Sequence, residues 1–304
     1  MFHHQPVLLS TVLDLLKPSP GNRVLDVTVG LGGHSSSLAD AIGDHGTLVC
    51  LDADEENLNI AQQRLSSKSA RTIFIHSNFS CVPHCLPREE RAFDCILADL
   101  GLSSPHIDDS KRGFSFKGHA LLDMRYDRTG GRTAADVLNE STEAQLRSIL
   151  RTYGELSHVH AIINAIVKRR KATPFQLAED LVAVASECFG YRTAKLLPQL
   201  FQALRIAVND ELASLEAFLV HAPLLLSLHG RLCIISYHSL EDRLVKHAFA
   251  ALSSVQKHPV TGAAVTTAEY NVITKKSVCP TPEEIENNPR ARSARLRVIE
   301  RVSL

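Results

Sequence analysis

Residues Asp26 to His34 read Asp-Val-Thr-Val-Gly-Leu-Gly-Gly-His. Glycines in such a turn let the backbone bend sharply and come close to a ligand. The spacing is not G-x-G-x-x-G, because the third glycine falls too early, and no Lys-Ser/Thr follows as in a P-loop. Pyrophosphate binding is therefore disfavoured, while a nucleoside remains welcome. Leu51-Asp52-Ala53-Asp54 closes a second apolar run. Asp52 could accept hydrogen bonds from both hydroxyls of a ribose, whereas Asp54, just before Glu55, reads as a helix cap. In Ser77-Asn78-Phe79-Ser80 the aromatic could stack on adenine or simply fill the core. Asp99-Leu100-Gly101-Leu102-Ser103-Ser104-Pro105-His106 is a polar loop with a proline. It suits an enzyme that must hold an exocyclic amine. Such an amine is a poor nucleophile, its lone pair being delocalised into the ring. An acceptor for its N–H hydrogens orients it towards an electron-poor methyl group. His238, Ser239, Glu241 and Asp242, following the strand Arg231–Tyr237, form a second polar cluster. A Ser/His hydrolytic pair there would lack the G-x-S-x-G elbow. Cys81-Val82-Pro83-His84-Cys85 has no second ligand pair, and Pro83 disturbs a helical face, so no metal is expected.

These residues need a scaffold. Asn22–Thr28, Thr47–Asp52, Arg71–His76 and Phe93–Leu100 read as buried strands, with helices over Ser35–Ala41 and Glu55–Leu65 between them. Strand, glycine turn, helix, strand is the pattern of a doubly wound, mostly parallel sheet, where ligands meet the carboxyl ends of the strands. The alternation then stops. Apolar positions at helical spacing run through Ala134–Leu138, Glu143–Tyr153, His158–Arg170 and Pro174–Phe189, with Thr173-Pro174 as a helix start. A helix over Leu204–Val220 leads back to the sheet. A strand at Arg231–Tyr237 and a helix at Leu240–Leu252 follow, then a loop over Ser253–Ala268 and a closing strand pair at Asn271–Lys275 and Ala294–Val302. The domains expected are 1–108 with 205–304, and an all-α insertion at 109–204.

Composition sets bounds. The 304 residues are 44% hydrophobic and 22% charged, which suits a globular chain able to bury its own core. No apolar run approaches the ~20 residues of a membrane span. Met1–Ser10 lacks the basic-then-apolar order of a secretory leader. Seven scattered cysteines, an odd number, argue against a disulfide framework and for a reducing, cytoplasmic setting. Charge balances at 33 basic and 33 acidic residues, yet Lys111–Arg205 carries 15 basic against 9 acidic. That excess could track nucleic-acid phosphates, with Lys168, Arg169, Arg170 and Lys171 as candidates, or it could be a solvated helix face. The arginines from Arg290 to Arg301 pose the same choice.

Taken together, the motifs resemble those of the bacterial 16S ribosomal RNA (cytosine-N4) methyltransferases. The matching stretches are His4-Gln5-Pro6-Val7-Leu8-Leu9, Asp26–His34, Asp99–Asp108, Arg112–Phe116, Leu122–Arg125, Phe201–Asn209, Ile235–Arg243 and Asn288–Arg297, in order along nearly the whole chain. The resemblance implies a class I, Rossmann-like methyltransferase sheet with an inserted helical domain. It implies S-adenosyl-L-methionine as cofactor and a cytidine of the decoding region in the small subunit as substrate. Carried over position by position, the cofactor contacts fall on Gly32, Gly33, His34, Asp52, Phe79 and Asp99. A further one falls on His106, where the family ordinarily has glutamine. Other departures are Ala120-Leu121 in place of Gly-Pro, Tyr126 in place of methionine, and Leu197-Pro198-Gln199 ahead of the Phe201 motif.

The expected reaction is direct transfer of a methyl group from a sulfonium to cytosine N4, governed by alignment and electrostatics. Asp99, Ser103, Ser104, Pro105 and His238 are the expected catalytic residues. Phe114 and Tyr237 are expected at the target base, which must leave its stack to be reached. The partner is 16S rRNA in the small subunit, with no membrane, and a homodimer is left open. Three competitors share parts of the pattern. They are a nicotinamide dehydrogenase, which the missing third glycine disfavours, a DNA amino-methyltransferase, and a non-catalytic assembly factor.

Overall fold

A computed structural model describes residues 6–86, 92–116, 119–255 and 268–303. His4 and Gln5 of the first motif, and most of the loop expected at Ser253–Ala268, lie outside the described residues. The chain divides into two compact units, 1–101 with 213–304, and 102–212. The boundaries expected from sequence were 109 and 204. Among the described residues no helix is long and apolar enough to cross a membrane.

The first unit is built on seven strands: β1 (Arg23–Asp26), β2 (Thr47–Asp52), β3 (Arg71–His76), β4 (Phe93–Asp99), β5 (Leu226–Ser236), β6 (Tyr270–Val272) and β7 (Arg295–Arg301). Their order is β3-β2-β1-β4-β5-β7-β6. β1 to β5 run parallel, and β7 is antiparallel to both β5 and β6. This is a doubly wound α/β sheet whose strand order reverses between β1 and β4. A ligand crevice is expected outside the carboxyl ends there.

The strands are apolar on both sides because helices cover both faces. Val24, Leu48, Cys50, Cys95, Leu97 and Cys233 pack on one face. That face is closed by α1 (Leu9–Leu16), α2 (Gly33–Ile42) and α3 (Glu55–Leu65). Leu25, Val49, Leu51, Ile96, Ala98 and Ile234 pack on the other. It is closed by α4 (Val82–Cys85), α11 (Glu211–His221) and α12 (Ser239–Leu252). The period of two in a strand sends alternate residues of each run to opposite cores.

The second unit is helical: α5 (Ser104–Asp108), α6 (Ala134–Glu140), α7 (Glu143–Thr152), α8 (His160–Ala172), α9 (Ala178–Phe189) and α10 (Thr193–Asn209). Its own core gathers Leu138, Leu146, Leu150, Ile162, Ile166, Phe175, Leu181, Leu200 and Leu204. Two sequence expectations are corrected here. Thr173-Pro174 does not start a helix. Thr173 is the extended C-cap of α8, as a residue before proline prefers. α9 begins only at Ala178, where the Asp180 carboxylate accepts the Gln176 and Leu177 N–H groups. The helix expected over Leu204–Val220 is two helices. Asp210 adopts the left-handed conformation, φ 48°, and ends α10. Aspartate tolerates that conformation better than most residues. Pro198 sits inside α10, which continues past it without the backbone N–H that proline lacks.

Candidate active site

The glycine turn joins β1 to α2. Asp26, the last residue of β1, is almost fully buried. Its Oδ1 accepts the Thr28 N–H at 3.1 Å and its Oδ2 accepts the Ser35 hydroxyl at 2.6 Å. Burial is the main cause that pushes its carboxyl up from the usual range, against the lowering effects of Ser35 and His34. Gly30 has φ 51° and Gly32 φ 76°, a region that side chains rarely adopt. At Gly33 the reason is space, because a Cβ would lie 2.7 Å from the Pro6 ring. Nothing comes nearer than 3.9 Å to a Cβ placed on Gly30, so the turn is open on that side. Among the described residues no side chain caps α2. Its first N–H groups therefore remain available at the positive end of the helix dipole.

Asp52 ends β2 beside that turn. Its Oδ2 accepts the Gly30 N–H at 2.7 Å and its Oδ1 accepts the Asp54 N–H at 2.8 Å. Each oxygen keeps a lone pair for a further donor. Desolvation pushes this carboxyl up to about 7, against the two backbone hydrogen bonds that favour the ionised form. Asp54 is the N-cap of α3, as its position suggested, accepting from Glu56 and Asn57 N–H.

Asp99 ends β4 on the other side of β1. The Thr28 hydroxyl accepts its N–H at 2.6 Å, tying the strand end to the glycine turn. Oδ1 accepts the Tyr237 hydroxyl at 2.8 Å. Oδ2 lies 3.6 Å from His34 Nδ1, beyond hydrogen-bond length, and the Asp99 side chain stays 20% exposed. His34 Nε2 sits 2.9 Å from the Val7 carbonyl, which can only accept, so Nε2 carries the hydrogen. Burial, and then the Asp99 charge, raise the Tyr237 phenol well above its ordinary value, so the hydroxyl remains a donor.

The other expected residues divide between the units. Phe79 stands edge-on to Phe218, ring centroids 5.5 Å apart, at the margin of one core. His238 is the N-cap of α12. Its Nδ1 accepts the Glu241 N–H at 3.4 Å and its Nε2 lies 3.2 Å from Glu241 Oε1. Buried Glu241 also accepts the Tyr237 N–H, at 2.8 Å. Among the described residues Cys81, His84 and Cys85 do not bring three ligand atoms within reach of one ion.

Ser103, Ser104, Pro105, His106 and Phe114 belong to the second unit. There His106 Nδ1 accepts the Ser103 N–H at 3.2 Å and closes the first turn of α5. Its ring lies 4.9 Å from that of Phe114 and 5.2 Å from that of Tyr126. Lys168 and Lys171 are exposed on α8 and line an open pocket with Glu143 and Asn164. Arg169 pairs with Asp180, and Arg170 donates to the Leu138 and Ser141 carbonyls.

Sequence reading missed Asp26, Thr28 and Ser35 as the frame beneath the site. The signal lay inside the same glycine motif: hydroxyl residues flanking the turn, one of them two residues after a strand-end acid.

The donor set fits a charged nucleoside. One carboxylate with spare lone pairs adjoins an open glycine turn, an uncapped helix N-terminus follows, and a second carboxylate stands at the next strand end. The MraW methylase family model matches residues 1–302. Relatives named ribosomal RNA small subunit methyltransferase H align along almost the whole chain. The one from Dictyoglomus thermophilum is 41% identical over 98% of this chain and 96% of its own. That from Nostoc sp. is 42% identical over 99% and 93%. That from Halothermothrix orenii is 39% identical over 99% of each. The chain belongs to the MraW methylase family, as a methyltransferase whose methyl donor is S-adenosylmethionine.

Proposed function

We propose that the chain methylates the N4 amine of a specific cytidine in the decoding region, at the P site, of 16S rRNA in the small ribosomal subunit, in the cytoplasm. The relatives' shared name supports RNA of the small subunit as the substrate class. The observation that carries an amine acceptor is Asp99, a partly exposed carboxylate at a strand end with one oxygen already held by Tyr237.

Bound S-adenosylmethionine would supply an electron-poor methyl group on a sulfonium; as the N4–carbon bond forms the sulfur–carbon bond breaks, a neutral thioether leaves and the nitrogen gives up one proton. Asp52 would hold the ribose by accepting its hydroxyls. The first turn of α2, at Gly32, Gly33 and His34, would receive the carboxylate of the amino-acid end. Phe79 would offer its ring to the adenine. Asp99 would accept an N–H of the target amine and orient its lone pair, so alignment lowers the barrier. Ser103, Ser104 and Pro105, next along the chain, supply further polar groups for the base. Phe114 stacks on it after it leaves its helix.

The test is incubation of small subunits with methyl-labelled cofactor, followed by nucleoside analysis. Label in N4-methylcytidine is the expected result, and label in another nucleoside, or in naked DNA instead, rejects the assignment. Asp99→Ala should lower transfer about a hundred- to a thousandfold, the scale of losing a key electrostatic group, with folding intact. Turnover near the unaltered rate would remove Asp99 from the mechanism.

A further inference from the structure

Tyr237 stands one residue past the end of β5, in the first unit with Asp99. Its backbone N–H is taken by Glu241 at 2.8 Å, which fixes where the residue leaves the strand. Its hydroxyl reaches across to Asp99 Oδ1 at 2.8 Å. The ring lies where a side chain on residue 101 would be. A Cβ on Gly101 would fall 2.7 Å from Cε2 and 2.9 Å from Cζ of Tyr237. Gly101 is thus bare because the phenol occupies that space, and this close approach brings the hydroxyl to the carboxylate.

We infer that Tyr237 is a positioning residue for methyl transfer: it claims Oδ1 of Asp99, fixes the plane of the carboxylate, and leaves Oδ2 as the oxygen that meets the substrate amine. This rests on the reading of Asp99 as the amine acceptor. A carboxylate that can rotate offers either oxygen in many directions. One pinned by a phenol hydroxyl offers a single oxygen in a single direction. Other groups also face Asp99. His34 comes from α2 at 3.6 Å from Oδ2, Asp26 from β1 and Cys233 from β5 act on the same local charge, and the Thr28 hydroxyl holds the backbone. Of these side chains Tyr237 alone donates a hydrogen bond of ordinary length to the carboxylate among the described residues.

The test uses the full chain with small subunits. Tyr237→Phe keeps the ring and removes one oxygen. Expected are a fall in kcat of about ten- to a hundredfold, the scale of a small misplacement of a reacting group, and cofactor affinity within about twofold of the unaltered protein. The loss should fall on kcat and leave KM for the small subunit within about twofold, a split that a general loosening of the fold would not give. Gly101→Ala, which pushes the ring aside, should reproduce both effects, and combining it with Tyr237→Phe should add little. An unaltered kcat in Tyr237→Phe, or a lowered one matched by an equal loss of cofactor or subunit affinity, would overturn the assignment whatever happens to melting temperature. Asp99→Ala run alongside separates the two ideas. If it is active, the amine-acceptor reading itself is lost. If it is inactive while Tyr237→Phe behaves normally, only the role of Tyr237 is lost.

Discussion

Asp52 shows how a single carboxyl can be legible in type and still hide its state. Its place at the end of an apolar strand marked it as a ribose acceptor, but sequence carries no measure of desolvation. Both oxygens already accept a backbone N–H, yet burial outweighs them and lifts the carboxyl to about 7. The sign follows directly. Below that value the free protein carries a neutral acid, which has lost acceptor capacity on one oxygen, so a ligand that needs two acceptors must first remove a proton. The probe should not ionise in this range, and 5′-methylthioadenosine, with its ribose diol and neutral thioether, meets that need. Its affinity should weaken about tenfold between pH 8 and pH 6, as linkage to one proton requires. Asp52→Asn should bind more weakly at both and lose the pH dependence. A flat profile in the unaltered protein, measured by calorimetry, would take the Asp52 carboxylate out of the ribose contact.

At the scale of elements, regular segments were the most readable. Thr47–Asp52, Glu55–Leu65 and Arg71–His76 coincide with β2, α3 and β3, because an unbroken apolar run or a capped amphipathic one leaves little choice. Breaks were less readable. Thr173-Pro174 fits both the end of one helix and the start of another, and only the Asp180 carboxylate three residues beyond Leu177 decides it. Asp210 bends the chain between two helices through backbone conformation alone, which apolar spacing does not report. The acids and glycines of the site could be read from the motifs, but the Tyr237–Asp99 bond could not, since it joins residues 138 apart in sequence. The departures from the family pattern acquire a physical link in the same way. His106 and Tyr126, where glutamine and methionine are ordinary, put their rings 5.2 Å apart, and Phe114 stacks within 13° of parallel on Tyr126. A ring in place of one residue makes a ring in place of the other favourable. His106→Gln and Tyr126→Met should each destabilise the chain. The double variant should cost less than their sum by about 1 kcal/mol, the usual worth of an aromatic pair. Denaturant unfolding of the four proteins gives that coupling, and strict additivity would mean the two departures are independent.

For the molecule as a whole, a net charge of zero is compatible with an RNA substrate once the charges are sorted by what they already hold. Many basic residues are spent internally. Arg297 grips Asp242 through two hydrogen bonds, at 2.7 and 3.1 Å, and joins two of the family motifs. Arg231 pairs with Glu300, and Arg205 with Glu211. The run Lys168–Lys171 is divided the same way. Arg169 is committed to Asp180 and Arg170 to two carbonyls near the end of α6, while Lys168 and Lys171 stand exposed one turn apart. Four adjacent cations therefore divide into two tied to protein partners and two exposed, and salt tests whether the exposed pair meets RNA. A lysine on a phosphate releases counterions on binding, so losing it flattens the dependence of affinity on salt by about one unit of slope per residue. Lys168→Ala with Lys171→Ala should weaken binding to a 16S rRNA fragment and lower that slope by about two, with no change in melting temperature or cofactor affinity. Arg170→Ala should do the reverse: it strands two carbonyls, at about 1–3 kcal/mol each if they stay buried, and lowers stability while the slope holds. Filter binding across a salt series, beside thermal melts, measures both. An unchanged slope in the double-lysine variant would show that the exposed cations of α8 are solvated charge and that RNA is gripped elsewhere.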